Sequence, residues 1–185
     1  MNIKSEKKHP CIVLIGFKSC GKTTIGKLIA KQTDAFFIDT DEYITNSYAQ
    51  EYKTFLTVAD IYKKHGADFF RTLESTVIKN IFHFINDKNN IKNMDYLKDK
   101  LIVISTGGGC ILNTDNVNYL KEIGTLFYIE TDAQTLQKRN TTYLGRSFLD
   151  IYAERKNIYE NIFNKKVLAA NKTPIQIAEE IIHGL

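Results

Sequence analysis

Gly16, Gly21, Lys22 and Thr23 stand in the spacing G-x-x-x-x-G-K-[ST] within the run CIVLIGFKSCGKTT, and that spacing has a chemistry. Glycine at both ends lets the backbone take conformations closed to other residues, so that successive N–H groups turn inward around an anion. A lysine directly after the second glycine can reach the β- and γ-phosphates of a nucleotide, and the threonine hydroxyl beside it is placed to ligate Mg²⁺. The candidate nucleotide-binding residues are therefore Gly16, Ser19, Cys20, Gly21, Lys22, Thr23 and Thr24.

Other residues could act on what such a loop holds. Asp39 and Asp41 are carboxylates two positions apart. One can hold the water shell of a metal while the other orients or deprotonates an acceptor hydroxyl, although an aspartate here could also cap the helix expected near Glu42. Arg71 and Glu74 share a helical face, so the carboxylate can fix the guanidinium for an anionic substrate; the competing role is an exposed ion pair worth about 0.3–0.5 kcal/mol. Gly107, Gly108 and Gly109 offer bare backbone N–H groups to a carboxylate or a travelling phosphoryl group, or form a plain turn. Arg146 lies in the polar stretch NTTYLGRSFLD and Arg155 just beyond it. Arginines on a segment that closes over a phosphate site would stabilise developing charge and exclude water.

These residues need elements to hold them. Ile12–Ile15 reads as a strand buried on both faces, and helical spacing follows from about Lys22 to Lys31, which gives the phosphate loop its strand-loop-helix setting. Phe36-Phe37-Ile38 is a second short strand that delivers Asp39 and Asp41 to the edge where open α/β sheets bind ligands. Residues 43–57 show little period and suggest a short helix and a loop. A helix begins at Val58, breaks at Gly66 and continues to Phe84 with apolar residues at Phe70, Leu73, Val77, Ile81 and Phe84. Leu101–Ile104 is another buried strand, and it ends in STGGG without the aspartate that often follows such a strand, so metal binding falls to Thr23 and Asp39. A helix over 113–123, a strand over 126–129, a helix over 133–139, a polar loop over 140–150 followed by a helix that carries Arg155 and Tyr159, and a last helix over 174–183 complete the reading. The last helix starts at Pro174 and turns Ile175, Ile177, Ala178, Ile181 and Ile182 toward the core.

Composition narrows the class. With 185 residues, 43% of them hydrophobic, the chain can build one substantial core, so residues 1–185 are expected to form one domain. It would have a polar tail over 1–9, an exposed Asn/Asp/Lys-rich insertion over about 86–100 and a lid over about 140–154. The formal charge of +4 is spread along the chain and asks for no nucleic-acid face. Cys11, Cys20 and Cys110 lack metal-site spacing and suggest reduced thiols. The N-terminus has no apolar core of a signal peptide, no apolar run nears the roughly 20 residues of a membrane span, and a cytoplasmic monomer without membrane contact is expected.

Taken in order, GFKSCGKTT, DTD at 39–41, VADIY at 58–62, FFRTLE ending in Glu74, STGGG ending in Gly109, Arg146 and RKNIY at 155–159 resemble the shikimate kinases, small P-loop kinases of the nucleoside-monophosphate-kinase type. The resemblance implies a three-layer α/β/α fold around a five-stranded parallel sheet, with a lid loop and a helical substrate-binding region. It implies ATP and Mg²⁺ as cofactors and transfer of the γ-phosphoryl group to the 3-hydroxyl of shikimate, a step toward chorismate and the aromatic amino acids. By resemblance Lys22, Asp41 and Arg146 are catalytic and Asp39 helps Thr23 hold Mg²⁺. In the same way Arg71 and Arg155 clamp the shikimate carboxylate, Gly107 to Gly109 line its pocket, and Arg139 lies against adenine. The lid differs from the family's usual pattern, with Ser147 where proline commonly follows the arginine and only nine positions from Arg146 to Arg155. A kinase of another small hydroxy acid such as gluconate, and a nucleotide-binding regulatory module without turnover, are the competing readings.

Overall fold

A computed structural model describes residues 10–87, 97, 100–139 and 147–185. Most of the insertion expected over 86–100, and the part of the lid that carries Gly145 and Arg146, lie outside the described residues. Five parallel strands, β1 (Cys11–Ile15), β2 (Phe36–Asp39), β3 (Ile102–Ser105), β4 (Thr125–Glu130) and β5 (Lys165–Leu168), form one sheet in the order β2-β3-β1-β4-β5. Every residue of β1 is buried, as a central strand covered on both faces requires. From β1 the chain fills one side of the sheet with β2 and β3 and then the other with β4 and β5, so the strand order reverses at the carboxyl end of β1. Open α/β sheets bind their ligands at that position.

Helices cover both faces. They are α1 (Lys22–Thr33), α2 (Thr40–Tyr52), α3 (Val58–Asn86), α4 (Thr114–Ile123), α5 (Ala133–Arg139), α6 (Phe148–Glu160) and α7 (Pro174–His183). Helix α1 packs against α7 and α3 against α4, with the sheet between these layers. Gly66 breaks α3 with φ 85°, as its sequence suggests, and a capping box of Thr57 and Asp60 starts it. The buried stripe of α3 runs through Phe70, Glu74, Val77, Ile78, Ile81 and Ile85, so a carboxylate stands among the apolar residues.

The structure departs from the sequence reading in four places. Residues 40–52 are a continuous helix, because Asp39 caps it and Tyr48 is buried beneath a stack with Tyr52 (4.5 Å) and a hydrogen bond to His65 (2.8 Å). Strand β5, KKVL, went unread because it buries only Val167. Ile175 is half exposed while Ile177, Ala178 and Ile181 are buried; five apolar residues in ten are more than one helix face can cover. Residues 148–154 of the expected lid are helical, because Phe148 packs edge-on against Phe17 at 5.6 Å and Ile151 is buried below it.

Candidate active site

The phosphate loop leaves β1 through Gly16 (φ 151°) and enters α1 through Gly21 (φ 101°), with Ser19 between them at φ 66°. These positive φ values are what the glycines supply. Lys22 opens α1 and is 6% exposed. Its Nζ curls back over the loop and donates to the carbonyls of Gly16 (2.8 Å) and Phe17 (2.9 Å). Ser19, Cys20, Gly21, Thr23 and Thr24 line a cleft of about 470 Å³ with Lys22. Arg139, at the end of α5, faces the same cleft and donates to Ser19 O at 3.2 Å. Lys172 and Pro174, just before and at the start of α7, close the other wall of the cleft.

Asp39 caps α2 with one oxygen and faces the phosphate loop with the other. Its Oδ1 accepts from the N–H groups of Asp41 (3.0 Å) and Glu42 (3.4 Å) and so caps α2, which holds the carboxylate still. Its Oδ2 accepts from the Thr23 hydroxyl at 2.7 Å. Ser105 Oγ lies 3.3 Å from the same hydroxyl, so a serine stands at the end of β3 where an aspartate was missed. Two hydroxyls and one carboxylate are all hard oxygen donors, which suits Mg²⁺ held partly by phosphate oxygens and water. Among the described residues no cluster of three His, Cys, Asp or Glu side chains could hold a metal by itself.

The acceptor side assembles next to it. Arg71 Nη1 donates to Glu74 Oε2 at 2.5 Å, and Glu74 is 1% exposed. Glu74 is thus the buried end of the pair and Arg71, 29% exposed, its outward end. A Cβ added to Gly107 would stand 2.8 Å from Asp41 Oδ1 and 2.9 Å from Glu74 Oε1, and one on Gly109 would overlap the Arg71 guanidinium. Gly108 is the position with no room for a side chain, since a Cβ there would stand 2.6 Å from the backbone nitrogen of Lys18 in the phosphate loop. The amide of Gly107 is committed to Thr40 Oγ1 at 2.9 Å, so this N–H is tied into the fold and not presented to a ligand. Arg155, on α6, donates to Gly108 O at 3.2 Å and lies 5.4 Å over the Phe17 ring. Phe148 and Tyr152 anchor α6 on Phe17 (5.6 and 5.7 Å) and so hold Arg155 beside the triple-glycine turn.

Burial raises the Asp41 carboxyl above the usual carboxylate range and the charge of Asp39 adds to it, while Lys22, Lys18 and Arg71 pull it back. Burial likewise raises Glu74, against the charge and hydrogen bond of Arg71. Desolvation outweighs an ion pair at contact distance in this cleft. The structure thus brings together Lys22, Thr23, Asp39, Asp41, Arg71, Gly107 to Gly109, Arg139 and Arg155; Arg146 lies outside the described residues. Sequence reading passed over Lys18, Ser105, Lys172 and Pro174. Only Lys18, a cation inside the phosphate loop, carried a local signal.

Comparison with known proteins fits this geometry. The family model described as shikimate kinase matches residues 18–185. A shikimate kinase from Sulfurihydrogenibium sp. (strain YO3AOP1) is 31% identical over 179 residues, which is 92% of this chain and 95% of that protein. The structure of shikimate kinase from Aquifex aeolicus vf5 superposes with a TM-score of 0.71 at 29% identity, covering 94% of each chain. That of a shikimate kinase from Acinetobacter baumannii in complex with shikimate does so with a TM-score of 0.72 at 24% identity, over 94% of this chain and 91% of the other.

Proposed function

The chain belongs to the shikimate kinase family and is an ATP-dependent kinase of shikimate, and on that premise we propose how its residues divide the work. The observation that carries the proposal is that the phosphate loop, Asp41 and the Arg71–Glu74 pair all stand against one turn, Gly107 to Gly109. The loop from Gly16 to Thr24 cradles the phosphates of ATP, and the nucleotide base lies between Arg139 and Pro174. Lys22 exchanges the carbonyls of Gly16 and Phe17 for the β- and γ-phosphates. Thr23 and Asp39 would hold Mg²⁺, with Ser105 behind them; when bound, the ion neutralises phosphate charge. Arg71, held by Glu74, and Arg155 grip the substrate carboxylate. Asp41 accepts the proton of the 3-hydroxyl as that oxygen attacks the γ-phosphorus and the bond to the β-phosphate oxygen breaks to release ADP, and its raised pKa makes it a better base than an exposed aspartate. Arg146 stabilises the group in transfer.

In the same reading the chain is one catalytic unit, a cytoplasmic monomer. The free and buried Cys11, Cys20 and Cys110 fit a reducing compartment. No helix among the described residues is long and apolar enough to cross a membrane.

The carboxylate clamp has a direct test. A charge-assisted hydrogen bond is worth about 1.5–3 kcal/mol, so Arg71→Ala should lower kcat/KM for shikimate by roughly ten- to two-hundred-fold with ATP affinity unchanged. Arg155→Ala should act in the same direction. Glu74→Gln should cost less, since it keeps the shape of the buried side chain and removes only the charge that orients Arg71. Steady-state kinetics with shikimate varied at saturating MgATP, alongside nucleotide titrations, reads all three. An Arg71→Ala enzyme with parental shikimate kinetics would remove the clamp from the account.

A further inference from the structure

Tyr159, on α6, is 1% exposed, and its ring stacks on Tyr128 at 5.0 Å and 12°. Its hydroxyl reaches two carbonyls, Gly16 O at 2.7 Å and Gly108 O at 2.8 Å. The first opens the phosphate loop and the second is the middle of the triple-glycine turn, so one phenol spans the donor and acceptor sides of the cleft. A phenol has a single proton and can donate to only one of the two carbonyls at a time. Each carbonyl has a second donor: Lys22 Nζ at Gly16 O (2.8 Å) and Arg155 Nη1 at Gly108 O (3.2 Å). These are the cations assigned above to the phosphates and to the substrate carboxylate.

We propose that Tyr159 is a positioning residue for phosphoryl transfer: donating to one of the two carbonyls at a time, its buried hydroxyl fills the joint between the phosphate loop and the triple-glycine turn and so fixes the reach from phosphoryl donor to acceptor hydroxyl. Burial holds the phenol well above its ordinary pKa, so it keeps that proton at any working pH. The inference rests on the proposed function and deepens it. Each ligand alone needs only its own wall of the cleft, whereas transfer needs the two walls in register, and a misplacement of about 1 Å can cost about 10²-fold in rate.

The test is Tyr159→Phe, which keeps the stacked ring and removes only the hydroxyl. The expected result is a kcat lower by roughly ten-fold or more, with the Kd values for ADP and for shikimate, each titrated alone, within about two-fold of the parental values, since neither ligand is assigned a contact with the phenol. A kcat within about two-fold of parental, or a loss of kcat matched by an equal loss of affinity for one ligand, overturns the proposal. Parental titrations in the same series separate the two readings, because a parental protein that fails to bind shikimate contradicts the function and not the role of Tyr159. If Tyr159→Phe does not fold, hydrogen–deuterium exchange of the parental protein decides. ADP alone should slow exchange over residues 105–112, on the far wall, and unchanged exchange there overturns the proposal.

Discussion

Lys22→Met is expected to give a folded protein whose kcat lies at least roughly 10²–10³-fold below the parental value, the range seen when one preorganised electrostatic contact to a transition state is removed. Lys22 puts a positive charge against the oxygens where charge gathers during transfer, and an apolar side chain of similar length does not. Methionine is the informative substitution because Lys22 is buried and its stem packs in the loop; alanine would add a cavity to the lost charge. Gly16 O keeps the Tyr159 hydroxyl at 2.7 Å when the lysine is gone, so the loop retains one of its ties. Turnover measured beside thermal unfolding checks both halves. A folded variant with near-parental turnover would remove Lys22 from the mechanism.

Asp41→Asn should lower kcat by roughly 10²–10⁴-fold, the usual contribution of a positioned general base, with nucleotide affinity little changed. The same substitution should raise stability at neutral pH. Because the folded-state pKa of Asp41 is raised by burial and by Asp39, the folded protein binds this proton more tightly than the unfolded chain does. Ionising Asp41 therefore costs the folded state stability above the raised pKa, and the cost vanishes as pH falls through it toward the ordinary carboxylate value. The expected pattern is a higher Tm for Asp41→Asn at pH 7 and a difference that closes in acid. Thermal melts across that range, with turnover and ATP titrations at pH 7, read it. Loss of ATP binding in this variant would mean that Asp41, and not Asp39, serves the metal side.

How much of this was legible in the sequence depended on how local the cause was. The phosphate loop, Asp39 and Asp41 at the end of β2, and the three glycines after β3 declare themselves because each group closes a short apolar strand, and a parallel sheet carries the ends of its strands to one edge. Glu74 was misleading at that level. Three residues from an arginine on a helix it suggests a solvated ion pair, and only the packing of α3 under the glycine turn buries it. Ser105 was hidden because the expected acidic residue was absent, although its hydroxyl stands beside Thr23. Strand β5 had one buried side chain and no period to read. Tyr159 lay inside a motif that resemblance picked out, but its two carbonyl partners come from the segments just after β1 and after β3, residues that only the folded chain brings together.

Release of ADP from MgATP on adding shikimate, measured beside gluconate and a blank without acceptor, tests the central claim most directly. The account predicts that shikimate drives ADP release with one shikimate 3-phosphate formed for each ADP, while gluconate leaves the rate at that of the blank. ADP release that does not depend on shikimate, or that gluconate supports equally well, would contradict it.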